Sequence, residues 1–251
     1  MSISRPIVVI LGSGPTVTRC RDWDLRDAEH IVAINNAHRV RPDWSHAIHP
    51  HDFPKERLPA KLTDRQALVT EADFVPAQNA FGGFVFGGGT MAFTAGYWAL
   101  HRLHPRLIAF FGCDMVYPVD AATHFYGTGT ADPLRQDISL RSLEAKSARL
   151  ALVAARQGCA VVNLSPAPSR LTFPRARPTQ LRDLAARGPA LNPAAADTAL
   201  RAEQALGYDT PDGRYWEYAE RFDPAALDAV DALWRAAERN AASAPGLSRT
   251  A

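Results

Sequence analysis

Short runs of consecutive apolar residues, many of them β-branched, recur along the first two thirds of the chain. Runs of this kind, bounded by turn residues, are typical of strands that are buried on both faces of a parallel sheet. They predict strands over 7–11, 30–35, 107–111 and 160–164, with shorter candidates over 46–49 and 67–70.

Apolar residues at helical spacing follow several of these runs, and they predict helices over 91–103 and 138–157. The stretch 115–137 is irregular and polar, which in a compact domain is typical of a functional loop or of a disordered segment. The alternation of strand, turn and helix predicts an α/β fold of the Rossmann-like type, with a doubly wound, mainly parallel sheet.

Four prolines between 166 and 178 indicate a linker or a crossing loop, and the sequence beyond them is rich in alanine. The last predicted helix carries an apolar stripe between 227 and 237, which would pack on the body of the protein or on another subunit. We therefore expect an α/β domain over 1–173, then a linker and a helical C-terminal appendage over 174–251. The stripe would permit a homo-oligomer without requiring one.

Charge and cysteine content exclude several classes of protein. The net charge is +2 and the basic residues are scattered singly, so nucleic acid is not expected as a partner. Cys20, Cys113 and Cys159 lie far apart without CxxC spacing, which argues against a structural zinc site or a disulfide framework. Cys113 and Cys159 stand in apolar runs and should be buried. The apolar stretch near the start has five residues, too few for a secretory signal or a membrane span, so we expect a cytoplasmic protein without a transmembrane segment.

A glycine-rich turn, Gly12-Ser13-Gly14-Pro15-Thr16, follows the first predicted strand. A tight turn at this place lets backbone N–H groups face an anion, and ligands of open α/β sheets bind at the carboxyl ends of the strands. The turn therefore predicts contact with a phosphate or a nucleotide. The alternative is that the glycines are needed for steric reasons alone.

The residues around this turn depart from the fingerprint of NAD-binding domains. Val17 stands where the third small residue of that fingerprint is expected, and Asn35 and Asn36 stand where an acid would hold the ribose. A redox enzyme is therefore disfavoured. An asparagine amide can hydrogen-bond a sugar hydroxyl or a base edge, but it can also simply cap the end of a strand in a turn.

A second glycine-rich turn, Gly87-Gly88-Gly89-Thr90, opens the helix predicted over 91–103. Glycines let the backbone approach a ligand closely, and Thr90 is a favourable N-cap residue. No lysine follows, so this is not a P-loop. The two glycine turns together favour a cradle for phosphate and sugar; the alternative for the second is a hinge with an ordinary cap.

Candidate catalytic residues follow the strand predicted over 107–111. Asp114, two residues after Gly112, could bind ribose, an acceptor hydroxyl or a metal, or could merely cap a turn. His124 is the best candidate for a general base, because its imidazole titrates near neutrality; a solvated surface histidine is the alternative. Tyr117 and Tyr126 could donate hydrogen bonds to a leaving phosphate. His46, His49 and His51 are close to one another in the chain, but their spacing could equally be chance and does not predict a metal site; no cofactor is expected.

Five motifs, in order along the chain, carry a resemblance to a known family. The first is residues 7–16 together with AINN (33–36). The others are GGGTMAFTAGYWAL (87–100), IAFFGCDMVY (108–117), HFYGT (124–128) and AVVNLSP (160–166). Together they resemble the bacterial sialyltransferases of glycosyltransferase family 42 and their uncharacterised relatives, which include an archaeal pterin diphosphokinase branch. The resemblance covers about residues 5–173, roughly two thirds of the chain, and the tail after Pro174 lies outside it.

The resemblance implies metal-independent, inverting transfer from a CMP-sugar donor. It places Gly12, Gly14 and Asn35 around the nucleotide, and Gly89 and Thr90 near its phosphate and sugar.

By the same resemblance, Asp114 matches a family acid and Tyr117 a tyrosine near the leaving phosphate. Two positions depart from the family pattern. His49 stands where the family has an asparagine that contacts the nucleotide, and Thr128 stands where it has the catalytic histidine. Transfer by the family mechanism would then require His124 to act as the base.

We therefore predict a sialyltransferase-like glycosyltransferase that takes a nucleotide-sugar donor and a glycan or other hydroxyl acceptor. One alternative is Mg²⁺-dependent transfer of the diphosphokinase type, with Asp114 as a ligand and Asp120 or Asp132 as helpers. Another is a non-catalytic nucleotide-binding or assembly protein, which Thr128 at the family's histidine position would favour.

Overall fold

The computed structural model describes residues 5–117, 122–129 and 134–242. A single six-stranded sheet forms its centre, and every strand pair in it is parallel. The strands are β1 (Ile7–Leu11), β2 (His30–Ile34), β3 (His46–Ile48), β4 (Ala67–Val69), β5 (Leu107–Phe111) and β6 (Ala160–Asn163). Their spatial order is β4-β3-β2-β1-β5-β6. The predicted fold class is confirmed.

The strand order explains where a ligand site would lie. The chain runs outward from β1 through β2 to β4, then crosses over to β5 on the other side of β1. The chain therefore leaves β1 toward β2 and β5 toward β6, on opposite sides, and such a switch point is where open α/β sheets bind their ligands. All five residues of β1 are buried, as the uninterrupted apolar run predicts.

The α-helices lie mostly on one face of the sheet. They are α1 (Glu71–Asn79), α2 (Gly83–Gly87), α3 (Met91–Arg102), α4 (Leu143–Arg156), α5 (Leu181–Arg187), α6 (Asp197–Leu206) and α7 (Pro224–Ala242). All except α5 contribute side chains to the large hydrophobic cluster on that face, which we call the first face. The second face is covered by α5 and by two 3₁₀ helices, Pro15–Cys20 and Asn35–Arg39.

The helix predicted over 138–157 is shorter than expected. A 3₁₀ helix occupies Ile138–Leu140, and α4 begins only at Leu143. The reason lies in two N-caps: the Asp137 side chain accepts a hydrogen bond from Ser139 N, and the Ser142 side chain accepts one from Ala145 N. Two capping residues five positions apart start two separate helices.

The C-terminal helices pack on the body of the α/β fold. Leu227, Val230, Trp234 and Ala237 of the predicted stripe are all buried, in the same cluster as the side chains of α3 and α4. The boundary proposed at residue 173 stays a prediction. The hydrophobic cluster continues across it.

A buried ionic network ties these helices to α3 and α4. Arg149 donates from Nε to Glu203 Oε1 at 2.7 Å and from Nη1 to Tyr97 Oη at 2.7 Å. Trp234 Nε1 donates to the same Glu203 oxygen, also at 2.7 Å. The side chains of Arg149 and Glu203 are 1% and 5% exposed, so each charge depends on the other for compensation.

The three cysteines are free thiols and all are buried, as predicted for Cys113 and Cys159. Burial raises the pKa of each thiol, so these side chains behave as small apolar groups. Within the described ranges, no helix combines the length and apolar character needed to cross a membrane.

Candidate functional site

The glycine turn after β1 lies directly against the turn after β5. Gly12 N donates to Phe111 O and Gly14 N donates to Gly112 O, both at 2.8 Å. A Cβ at Gly12 would overlap the Gly112 carbonyl, and one at Gly14 would lie 2.7 Å from the same oxygen. Close approach of two backbones is therefore a sufficient reason for both glycines.

This packing limits how the turn can hold an anion. The amides of Gly12 and Gly14 already donate to β5 and its turn, and Pro15, the first residue of a 3₁₀ helix, has no N–H. A phosphate at this turn would therefore depend on the amides of Ser13 and Thr16. Phosphate contact here stays a prediction, with a smaller donor set than the sequence suggests.

Three buried hydrogen-bond acceptors lie at the ends of β2 and β3. Asn35 Oδ1, Asn36 Oδ1 and His49 Nε2 have no hydrogen-bond partner among the described residues. His49 Nδ1 lies 2.9 Å from Pro50 O and must carry the proton there, which makes Nε2 an acceptor. Ile34 pairs with Ile48 in the sheet, so Asn35 and His49 follow neighbouring strands at the same level.

The acceptors lie beside the glycine turn. Ser13 Oγ donates to Ile34 O at 3.3 Å and so links the turn to the end of β2. Asn35 has a φ of +52°, in the left-handed region that residues other than glycine adopt uncommonly. A buried acceptor without a donor costs about 1–3 kcal/mol, so three of them at the ends of two neighbouring strands favour a site that is completed by a ligand or by water.

The loop that contains His124 is attached to the same turn. Phe125 N donates to Ser13 O at 3.0 Å, and the Phe125 ring packs against the hydrophobic cluster of the second face. His124 and Gly127 exchange two backbone hydrogen bonds, of 3.0 and 3.1 Å, which close the loop tightly. The glycine turn of Ser13 and the loop of His124, which the sequence predicts separately, are therefore adjacent.

The tautomer of His124 depends on the direction in which the Thr123 hydroxyl donates. Nδ1 lies 2.8 Å from Thr123 Oγ1, and that hydroxyl lies 3.1 Å from Gly129 O. When Thr123 donates its proton to Gly129 O, the neutral imidazole carries its own proton on Nδ1 and Nε2 becomes the basic nitrogen. His124 is half-buried, so its ring remains accessible from solvent.

Both candidate tyrosines lie close to His124. The Tyr126 ring stacks on the imidazole at 5.0 Å with an interplanar angle of 21°, and the Tyr117 ring lies 6.4 Å away. Tyr126 is 44% exposed and Tyr117 is half-buried. Thr128, at the position of the family's histidine, is exposed in the same loop. The structure thus brings together His124, Tyr117 and Tyr126.

Asp114 is bound to the end of β6. Its Oδ2 accepts from Ser165 Oγ at 2.6 Å, its Oδ1 accepts from Asn163 Nδ2 at 3.3 Å, and the Arg175 guanidinium lies 3.9 Å away. These contacts are those of a residue that fixes a turn, which was one of the alternatives for it. Its carboxylate is 14% exposed.

The metal alternative depends on residues outside the described ranges. Asp120 and Asp132, its possible helpers, both lie there. Among the described residues, no group of three or more His, Cys, Asp and Glu side chains is placed to hold a metal ion.

The second glycine turn is also packed closely by the protein. Thr90 caps α3 by accepting a hydrogen bond from Phe93 N at 3.3 Å, as predicted. Gly88 has a φ of +89°, and a Cβ there would lie 2.9 Å from the Phe93 ring. Gly88 N donates to Phe84 O at 2.8 Å, and Gly89 N donates to Ser139 Oγ at 3.0 Å. The glycines of this turn therefore have structural partners, whatever ligand it meets.

Sequence reasoning missed a polar cluster beside Gly89. It consists of Arg135, Asp137, Ser139 and Tyr215, joined by hydrogen bonds of 2.6 to 3.3 Å. Burial opposes ionisation of Asp137, but hydrogen bonds from Ser139 and Tyr215 outweigh it, so the pKa of Asp137 lies below its usual value. Burial and the Asp137 charge raise the pKa of Tyr215. The only local signal was Asp137 two residues before a serine, a common capping arrangement.

A pocket of about 490 Å³ lies elsewhere, between α4, α6 and the turn before α2. Its walls include Phe81, Val153 and Leu200, with the paired Arg149 and Glu203 among its lining residues. None of the residues predicted for the site lines it.

Comparison of the chain with protein-family models, with curated proteins and with solved structures finds no match. The resemblance of its motifs to glycosyltransferase family 42 therefore stays a prediction.

Proposed function

We propose that this chain is a glycosyltransferase that binds a nucleotide-activated sugar, of the CMP type, at the carboxyl ends of β1, β2, β3 and β5. The observation that carries the proposal is the set of buried acceptors without donors, Asn35 Oδ1, Asn36 Oδ1 and His49 Nε2. They lie beside the switch point of the sheet, where α/β proteins bind nucleotides.

The class of ligand is inferred from the hydrogen-bonding chemistry of these acceptors. They require N–H or O–H donors, which the exocyclic amino group of cytosine and the ribose hydroxyls supply. Each donor that reaches a buried acceptor removes an unsatisfied group, and a pocket built this way discriminates strongly against a ligand that lacks the donor. Cytosine, with its amino group, therefore suits the site better than uracil, which has a carbonyl oxygen at that position.

The residues around His124 supply the chemistry. His124 Nε2 would accept the proton of an acceptor hydroxyl while the hydroxyl oxygen forms a bond to the anomeric carbon of the sugar. The bond from that carbon to the nucleotide phosphate breaks, and the electron pair leaves with the phosphate. Tyr117 and Tyr126, whose rings lie within 6.4 Å of the imidazole, would donate hydrogen bonds to the departing phosphate as its charge develops.

Calorimetric titration with CMP and UMP, in buffer containing EDTA, tests the proposal. Asn35→Gly is the variant of choice, because glycine accepts the φ of +52° while the buried oxygen is removed. We expect wild-type protein to bind CMP more tightly than UMP, and Asn35→Gly to lose about 10-fold in CMP affinity. His104→Gly is the matched control. His104 also has a positive φ, of +47°, but it lies before β5, at the amino ends of the strands and so away from the proposed site.

Titration with ATP, with and without Mg²⁺ in buffer free of EDTA, and an assay of CMP-sugar turnover separate the competing functions. Binding of ATP only with Mg²⁺ would replace the proposal with phosphoryl transfer. Binding of CMP without turnover of any CMP-sugar would indicate a non-catalytic nucleotide-binding protein. Equal affinities for CMP and UMP would contradict the base assignment.

A further inference from the structure

Two histidines from neighbouring strands meet at the amino ends of the sheet. His30 is the first residue of β2, and His46 is the first residue of β3. Their ring centroids lie 5.4 Å apart, with an interplanar angle of 57°. The His46 ring also packs on Trp98 of α3, at a centroid distance of 4.9 Å, so the pair lies on the first face. The strands run from this pair toward Asn35 and His49, which follow their carboxyl ends.

The separation of the two rings suits a shared metal ion. Two imidazoles that bind one tetrahedral ion through nitrogens at about 2.0–2.1 Å have ring centroids about 5.2 Å apart. The observed separation of 5.4 Å is close to that value. Both rings could therefore bind one transition-metal ion after only a small adjustment of their side chains.

One ring nitrogen of His30 lacks a partner. His30 Nδ1 is buried and makes no hydrogen bond with the described residues. A buried polar atom without a partner is unfavourable, so this nitrogen favours a bound ligand or water. The adjacent Glu29 carboxylate is engaged elsewhere: it accepts from Ile7 N at 2.6 Å and lies 3.9 Å from the Arg106 guanidinium. A bond from the Nδ1 lone pair to a cation would satisfy the nitrogen.

Ser45 can orient the other imidazole for the same role. Its Oγ lies 2.9 Å from His46 Nδ1 and 3.2 Å from Ile31 O. When the hydroxyl donates to Ile31 O, His46 Nδ1 donates to Ser45 Oγ, and Nε2 carries the lone pair. A histidine that binds a metal typically donates its other ring N–H in this way, which fixes the tautomer and the ring orientation. Burial lowers the pKa of both His30 and His46, which favours the neutral imidazole that binds metals.

The pair is accessible from the edge of the sheet. Both histidines are half-buried. The residue that pairs with His46 on the edge strand β4 is Ala67, which is exposed and carries only a methyl group. Water and ions can therefore approach the imidazoles from this side.

We propose that His30 and His46 bind one divalent transition-metal ion of the kind that imidazole prefers, such as Zn²⁺, Ni²⁺ or Cu²⁺. Water completes the coordination, because no group of three or more His, Cys, Asp and Glu side chains is placed to hold an ion in the described part of the chain. The bound ion links β2 to β3 at their amino ends. The inference is independent of the proposed function, whose site lies at the opposite ends of the strands.

Calorimetric titration of the metal-free protein with Zn²⁺ tests the inference, and we expect one site per chain. His30→Gln and His46→Phe each remove one ligand, and Ser45→Ala removes the hydroxyl that orients His46. Each change should weaken Zn²⁺ binding about 10-fold or more. His51→Ala and His101→Ala change exposed histidines and should leave the affinity unchanged. Absence of Zn²⁺ binding by the wild type, or equal affinities in the wild type and either ligand variant, would overturn the proposal.

NMR with Cu²⁺ locates the ion without any substitution, because Cu²⁺ is paramagnetic and broadens the signals of nearby nuclei. The indole N–H signal of Trp98, whose ring packs on His46, should disappear at substoichiometric Cu²⁺. The signal of Trp216 should persist, because its neighbour Tyr215 packs on Gly89 at the other end of α3. Persistence of the Trp98 signal, or equal loss of both signals, would place the ion elsewhere and overturn the proposal.

Discussion

The backbone N–H of Phe125 lies 3.0 Å from the carbonyl oxygen of Ser13, and this hydrogen bond places the His124 loop on the first glycine turn. The contact joins residues more than a hundred positions apart in the chain. It brings the candidate base next to the edge where Asn35 buries an unsatisfied oxygen.

His124→Ala tests the role of the base. If Nε2 removes the proton of the acceptor hydroxyl, turnover of a CMP-sugar should fall about 100-fold or more, with little change in CMP affinity. Steady-state kinetics and titration of the same samples measure both quantities. His101→Ala, at an exposed position near the far end of α3, should behave as the wild type. Equal turnover in the two variants would remove His124 from the mechanism.

Gly12→Ala tests whether the first glycine turn is required by packing. The new Cβ would overlap the Gly112 carbonyl, so overpacking should lower the free energy of unfolding by about 1–3 kcal/mol. Ser13→Ala, in the same turn, loses only a 3.3 Å hydrogen bond and should cost less than about 1 kcal/mol. Urea unfolding of both variants gives the comparison. Equal costs would show that the Gly12–Gly112 approach is not tight in solution.

Arg149→Met should be strongly destabilising, because it leaves the Glu203 carboxylate buried without a counter-charge. Breaking one side of such a pair typically costs about 3–5 kcal/mol. Arg156 pairs with Asp197 on the surface, where both side chains are more than 40% exposed, so Arg156→Met should cost less than about 1 kcal/mol. Thermal and urea unfolding of the two variants would contradict this account if they gave similar losses.

His46 should make stability depend on pH in the mildly acidic range. Burial, with the neighbouring His30 adding repulsion, lowers the pKa of His46 to about 4. The unfolded chain binds the proton near pH 6.5, so stability is complete above that value and falls as pH decreases from about 6.5 to about 4. Because the imidazole is only partly buried and solvent screens it, the loss over this window should be about 1–3 kcal/mol.

The variant His46→Phe keeps an aromatic ring against Trp98, 4.9 Å away in the wild type, and cannot take up the proton. Unfolding free energies measured between pH 4 and pH 7 should therefore fall less steeply for this variant. Replacement of the exposed His51 by alanine should leave the dependence of the unfolding free energy on pH unchanged. If the unfolding free energy falls with decreasing pH equally steeply in His46→Phe and in the wild type, groups other than His46 are responsible for the acid sensitivity.

The strands were predictable because their signal is local. Ile7–Leu11 and Leu107–Phe111 are uninterrupted apolar runs, and only a strand buried on both faces uses such a run fully. The N-cap role of Thr90 was equally local. The proximity of Asn35 and His49 followed only once the order of the strands was known.

The polar cluster of Asp137 and Tyr215 could not be predicted in this way. Its members are single polar residues separated by up to 80 positions, and no periodicity links them. The packing roles of Gly12 and Gly89 were hidden for a similar reason, since each depends on what a distant segment brings against the backbone. Glycine content indicates that something approaches closely, and only the structure shows that the approaching group belongs to the protein.

The two edges of the sheet limit how copies of this chain can associate. On the β6 side, Asn163 N donates to Pro174 O and Ala176 N donates to Asn163 O, so the chain itself occupies that edge. On the other side, β4 has only three residues, too short a template for strand pairing between molecules. Growth of the sheet by edge-to-edge addition, the usual route to aggregation of β-structure, is disfavoured at both ends. Any homo-oligomer is therefore expected to form through helical surfaces.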